Sequence, residues 1–122
     1  MLRLTNIYPL QTTWLPPTDV FDMGSHIIIR TEISGISSRD VSIHIQDDLL
    51  LIKGHRREQE CIKMRVMQME IIYGPFERRL RLPCAIDSNN ARASYSNGFL
   101  EIQLPKAEET SPRAASVVIV MR

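Results

Sequence analysis

"ARASYSNGFLEIQLPK", residues 91–106, places Asn97-Gly98 between two stretches that alternate apolar and polar residues. Asn-Gly is the preferred pair for a two-residue type I′ turn, because both central positions need positive φ. With that turn, Ser96 pairs with Phe99. Tyr95 then faces Leu100, Ala93 faces Ile102, and Ala91 faces Leu104. These last six share one face. The other face carries Ser96, Phe99, Ser94, Glu101, Arg92 and Gln103, so it is polar apart from Phe99 at the tip. A slip of one residue would send the apolar set to solvent, so the register is strongly specified. The reading is an antiparallel hairpin with one buried face. Ala91 and Ala93 are small opposite large partners, which leaves room for something else to pack over that strand.

Outward from the hairpin the same period recurs. "VSIHIQ" sets Val41, Ile43 and Ile45 against Ser42, His44 and Gln46, a period of two with one buried side. Asp47-Asp48 reads as a turn, and "LLLIKGH" (49–55) as a strand closed by Gly54. "FERRLRLP" (76–83) alternates less cleanly, with two adjacent arginines, and stops at Pro83. "DVFDMGSHIIIRTEISG" (19–35) reads as a strand at Val20-Phe21, a turn containing Gly24, and a strand from His26 to Ile33. Short strands at this spacing, with Gly, Pro, Asp and Asn between them, predict an antiparallel sandwich. The stretch from Arg56 to Tyr73 is charged at first ("RREQE") and then apolar ("CIKMRVMQMEII"). There Met64, Val66 and Gln68 alternate with Arg65, Met67 and Met69. A strand inside a long excursion is preferred to a helix.

The 122 residues make one domain with a single two-layer core. A formal net charge of +1 gives no reason to expect a nucleic-acid partner. The longest uninterrupted apolar run is five residues, Val117 to Met121, far short of the ~20 that span a bilayer, so no membrane span is expected. The first ten residues lack a signal-peptide pattern, and two cysteines make no disulfide framework; a cytoplasmic setting is the expectation. Residues 1–17 read as a flexible, weakly ordered N-terminal arm that folds on contact with a partner, with Leu4, Ile7, Tyr8, Leu10 and Trp14 among its apolar residues. Packing of Trp14 on the domain itself remains an equal alternative. The sandwich then occupies 18–106, and 107–122 form a polar linker ending in "SVVIVMR".

No chemical motif stands out. The five glycines are too dispersed to cradle phosphate, and there is no H-E-x-x-H, C-x-x-C or G-x-S-x-G. His26, His44 and His55 lie on different strands, without ligand spacing relative to Cys61 or Cys84. No enzyme activity, cofactor or metal is expected.

Several blocks together carry a family likeness. Ala93-x-x-x-Asn97-Gly98-x-Leu100 resembles the signature of the α-crystallin domain of small heat shock proteins. "WLPPTDVFD", "RTEISGISSRDVSIHI" (with Ser34 where Pro is usual), "LLLIKGHRRE", "YGPFERRLRLP" and "LPKAE" are similar to the family's other blocks, in order, over about residues 14–107. The resemblance implies an all-β, immunoglobulin-like sandwich and an ATP-independent holdase that binds unfolding client proteins. It also implies a dimeric building block and higher homo-oligomers of the bacterial and plant type. In such members a strand of the long excursion crosses to the partner's sheet. The likeness puts it near Met64 to Glu70, with Met64, Val66 and Gln68 at the dimer interface and Arg78 making ionic contacts there. A C-terminal Ile-x-Ile-like motif would dock in another subunit's groove, walled here by Val41, Ile43, Ile45, Ala91 and Ala93. "SVVIVMR" offers Val117-x-Ile119 or Val118-x-Val120, with a slight preference for the second. An extra strand on the chain's own domain is the alternative use of the tail. Client contact would fall on the arm. The competing reading is an adaptor or co-chaperone module on a related sandwich, such as the CS domain. Such modules need neither arm nor tail.

Overall fold

A computed structural model describes residues 14–58, 65–107 and 114–121. Among the described residues nine strands form two sheets, antiparallel but for the β6–β9 pair: β1 (Thr18–Asp22), β2 (His26–Glu32), β3 (Val41–Gln46), β4 (Leu49–Arg56), β5 (Gly74–Arg81), β6 (Arg92–Ser96), β7 (Phe99–Pro105), β8 (Ala114–Ser116) and β9 (Ile119–Met121). One sheet runs β1-β2-β7-β6-β9 and the other β5-β4-β3-β8. This is the expected all-β, immunoglobulin-like sandwich.

The hairpin keeps the register derived from Asn-Gly. Ser96 pairs with Phe99, Tyr95 with Leu100 and Ala93 with Ile102. Asn97 and Gly98 both have positive φ, 53° and 83°. The ladder stops at Arg92, so Ala91 packs beside the strand rather than within it. The hairpin tip also holds the chain where it leaves β2 for the second sheet. The Ile33 N–H donates to the Gly98 carbonyl at 2.8 Å, and the Tyr95 hydroxyl to the Ile33 carbonyl at 2.8 Å.

Alternation sorts the core as the pattern demands. Ile27 and Ile29 of β2, Ile43 and Ile45 of β3, Leu50 and Ile52 of β4, Phe76 of β5, and Leu100, Ile102 and Leu104 of β7 meet between the sheets, all at most 2% exposed. Gly54 does not close β4, which runs on to Arg56. Its role is spatial: a Cβ there would lie 2.6 Å from Cζ of Phe76, its partner across the ladder. Asp47, with φ of 57°, makes the β3–β4 turn.

Candidate functional site

Two edges of the sandwich lie side by side, β3 of one sheet and β6 of the other, and the C-terminal segment fills the groove between them. β8 pairs antiparallel with β3, opposing Ser116 to His44 and Ala115 to Ile45. The Val117 N–H donates to the Ile43 carbonyl at 3.0 Å. The chain then crosses to the second sheet, where β9 pairs parallel with β6 and sets Ile119 beside Ala93. Ser116 Oγ and His44 Nδ1 share a hydrogen bond of 2.9 Å outside the groove.

Val117 and Ile119 turn inward and pack on the core, whereas Val118 is 81% and Val120 53% exposed. In the chain's own groove the inward pair is therefore Val117 and Ile119, not the Val118 and Val120 preferred from the sequence for docking on another subunit. The reason lies in the groove floor. Ala93 is 3% exposed and has no side chain beyond Cβ, so it leaves room for the Ile119 side chain beside it in the ladder. Val41, Ile43 and Ile45 are buried on the β3 side, with Ala91 partly buried beside Ala93. Within this chain the tail thus lies on its own domain, as the alternative reading had it.

The opposite flank is built from the edges β1 and β5. Trp14 lies against β5 in a one-residue parallel bridge to Phe76. Its N–H donates to the Pro75 carbonyl at 3.1 Å, and its own carbonyl accepts from Glu77 N at 3.3 Å. The indole packs edge-on to Phe76 and donates through Nε1 to the Gly74 carbonyl. Packing of Trp14 on the domain is thus the arrangement found. Leu4, Ile7, Tyr8 and Leu10 lie outside the described residues.

Of the excursion, Met64 lies outside the described residues, and residues 65–70 form no strand with their own chain. Val66, Met67, Ile71 and Ile72 are exposed, Met67 at 83%. On the edge strand β1, Val20 and Phe21 are exposed too, as is Met23 just beyond it. Arg78 is half-buried in β5, opposite Ile52 and on the side shared by Phe76 and Leu80. Gln68 bonds Glu70, two residues on.

Charge is arranged in local surface pairs. Lys106 meets Asp22 at 2.9 Å, Arg57 meets Asp40 at 2.9 Å, and Arg79 meets Glu77 at 2.7 Å. The hydrogen bond from Lys106, with a second from Gly24 N, holds the Asp22 carboxyl below its ordinary range. Those from Arg57 and Arg79 do the same to Asp40 and Glu77. Among the described residues no group of His, Cys, Asp and Glu is placed to hold a metal, and no helix is long and apolar enough to cross a membrane.

What the site offers is backbone edges and apolar seats, the means of binding polypeptide. Residues 19–120 match the profile of the Hsp20/alpha crystallin family. A small heat shock protein C2 of Rickettsia felis is 34% identical over 104 residues, covering 84% of this chain and 68% of that protein. The solved structure of heat shock protein 16.0 from Schizosaccharomyces pombe superposes with a TM-score of 0.73 at 27% identity, covering 82% of this chain and 94% of that one. A small heat-shock protein from Xylella fastidiosa, described as having a distinct high order structure, gives 0.70 at 30% identity, with 83% and 94% covered.

Proposed function

The chain belongs to the Hsp20/alpha crystallin family, and on that premise we propose that it is an ATP-independent holdase that captures unfolding proteins and keeps them from aggregating. Family membership supports a chaperone role in general. The observation that carries the finer reading is the groove between β3 and β6, which accepts an extended segment through backbone pairing and two small seats. Such a site selects for chain conformation and alternate apolar residues rather than for one sequence. The cytoplasm is the compartment proposed. The direct test is heat- or reductant-induced aggregation of a model substrate without ATP. Suppression near stoichiometric ratio is expected; its absence would count against holdase activity.

The assembly follows from the same edges. A dimer forms when the segment 64–70 of one copy adds to the free edge of β1 in a second. Val66 and Met67 on the segment, with Val20 and Phe21 on the edge, supply exposed apolar partners. Arg78, half-buried in an edge strand, provides a cation for a carboxylate of the second copy. Higher assembly uses the tail: the groove that seats Val117 and Ile119 of its own chain takes those residues from another copy. Burying two such side chains contributes about 3–6 kcal/mol before ordering costs, so one tail exchanges readily and many act through avidity. Deleting Val117–Arg122 is expected to lower the mass by light scattering toward a dimer; an unchanged mass would sink this role of the tail. The arm, through Leu4, Ile7, Tyr8, Leu10 and Trp14, contributes client contact. A monomer in size-exclusion chromatography would instead favour an adaptor that presents one face to a folded partner.

A further inference from the structure

Arg56, the last residue of β4, joins three separate parts of the chain. Its Nε donates to the Ile72 carbonyl at 3.0 Å, and Nη2 donates to the same oxygen. Nη1 donates to the Ser34 carbonyl at 3.3 Å. The guanidinium carbon lies 4.4 Å from the centre of the Trp14 ring and 5.7 Å from that of Tyr73. Arg56 is where the excursion leaves the sandwich, and Ile72-Tyr73 is where it returns. One side chain therefore clasps both feet of the loop, and the aromatic ring resting on it belongs to the arm.

Only arginine does this. Its planar fork reaches two carbonyls in one plane while leaving its face free for an aromatic ring. Lysine could neutralise neither geometry. The Trp14 ring makes its one hydrogen bond to Gly74, just beyond the loop's foot, and rests on the guanidinium that holds Ile72.

We propose that Arg56 is a positioning residue that sets the direction in which residues 65–72 are presented to a second copy, and that Trp14 covers this clasp so that displacing Trp14 loosens them. The inference deepens the dimer reading, on which its functional consequence rests. It makes the arm and the dimerising segment parts of one device. Whatever draws the arm away, a client chain included, weakens the grip on the loop and speeds exchange of subunits.

The full chain tests this by amide hydrogen exchange, with Trp14, the only tryptophan, as a second reporter. In Arg56→Gln, exchange over residues 65–73 should rise about tenfold or more, the scale of losing charge-assisted hydrogen bonds. Trp14 emission should move to the red. Arg56→Lys should resemble the glutamine variant, because charge without the fork does not hold Ile72. Trp14→Ala should raise exchange over 65–73 several-fold, although the ring bonds none of those residues. The amides of Ile29 and Ile102 monitor the core, and the loop should accelerate more than they do. Equal acceleration of loop and core, an unchanged loop in Arg56→Gln, or a loop indifferent to Trp14→Ala would each overturn the proposal. Light scattering on the same samples is read separately. A monomeric chain whose loop still responds would sink the dimer reading and leave the clasp standing.

Discussion

Both flanks of the sandwich are crossed by a terminal segment that touches both sheets, but the two crossings differ in how much of them is paired. On one flank, Trp14 bridges to β5, the chain passes through Pro16-Pro17, and β1 pairs with β2 over five residues. Pro16 is buried, and the Pro17 carbonyl accepts from Glu32 N at 3.0 Å. On the other flank, β8 and β9 contribute three paired residues each, joined by a half-buried and an exposed valine. Proline sets φ before folding, so the first crossing loses less entropy on ordering than the second. The same device, an edge covered by a terminus, is held by more pairing and by prolines on the first flank. On the second it is short, which suits the exchange between copies proposed above.

The sharpest way to break this comparison is at Phe76, the fully buried ring under Trp14 and Gly54. Phe76→Ala should cost about 3–5 kcal/mol in denaturant unfolding, as a large core truncation does. A loss near 1 kcal/mol would mean that this flank is no firmer than the other. Next, Val117→Ala with Ile119→Ala should lower protection of residues 114–121 by about 1–3 kcal/mol in hydrogen exchange, the scale of two partly buried truncations. The core amides should keep most of theirs. The paired control, Val118→Ala with Val120→Ala, should change stability by no more than about 0.5 kcal/mol, since both are exposed. If the control outweighed the inward pair, the tail would sit in the other register.

Acid should give the smallest effect, and it should fall more on the β1–β5 flank, which holds two of the three lowered carboxyls, than on the tail flank, where Asp40 ends the turn before β3. Asp22, Asp40 and Glu77 have carboxyls held below their ordinary values by Lys106, Arg57 and Arg79 respectively. A folded-state value below the unfolded one adds stability above the unfolded pKa, and that stability is lost as pH falls through the folded value. Unfolding midpoints should thus hold steady from about pH 5 to 8 and decline below about pH 4. The decline should shrink in salt, most for Asp22, whose carboxyl is exposed, and least for Asp40, whose side chain is only 8% exposed. Asp22 ends β1 and Glu77 lies in β5, while none of the three sits in 114–121. Acid should therefore narrow the difference between flanks. Faster loss of tail protection than of β1 protection would contradict this.

Much of this was legible in the residues, for reasons that also explain what was not. The β6–β7 register could be read because Asn-Gly dictates a turn and one face is apolar while the other is polar. The tail's register could not, because Val117, Val118, Ile119 and Val120 are apolar on both faces. A period of two carries no side when both sides are alike, and Ala93 made the choice from far away in sequence. Gly54 looked like a stop and was a space for Phe76, a fact held by the partner strand. The Arg56 clasp left no pattern at all. Its partners are two backbone carbonyls, which any residue supplies, and Trp14, which lies forty-two positions earlier.

The pairing of β2 with β7 has a consequence for how such a chain is made. Ile27 lies opposite Leu104 and Ile29 opposite Ile102, so the first sheet's apolar centre lacks its neighbour until almost the last strand has left the ribosome. Over that interval the nascent β1–β2 pair bares Ile27 and Ile29 next to an unfilled edge, the kind of surface that aggregates. During its own synthesis the molecule presents the features it is proposed to recognise in others, and copies already folded would be its nearest source of protection.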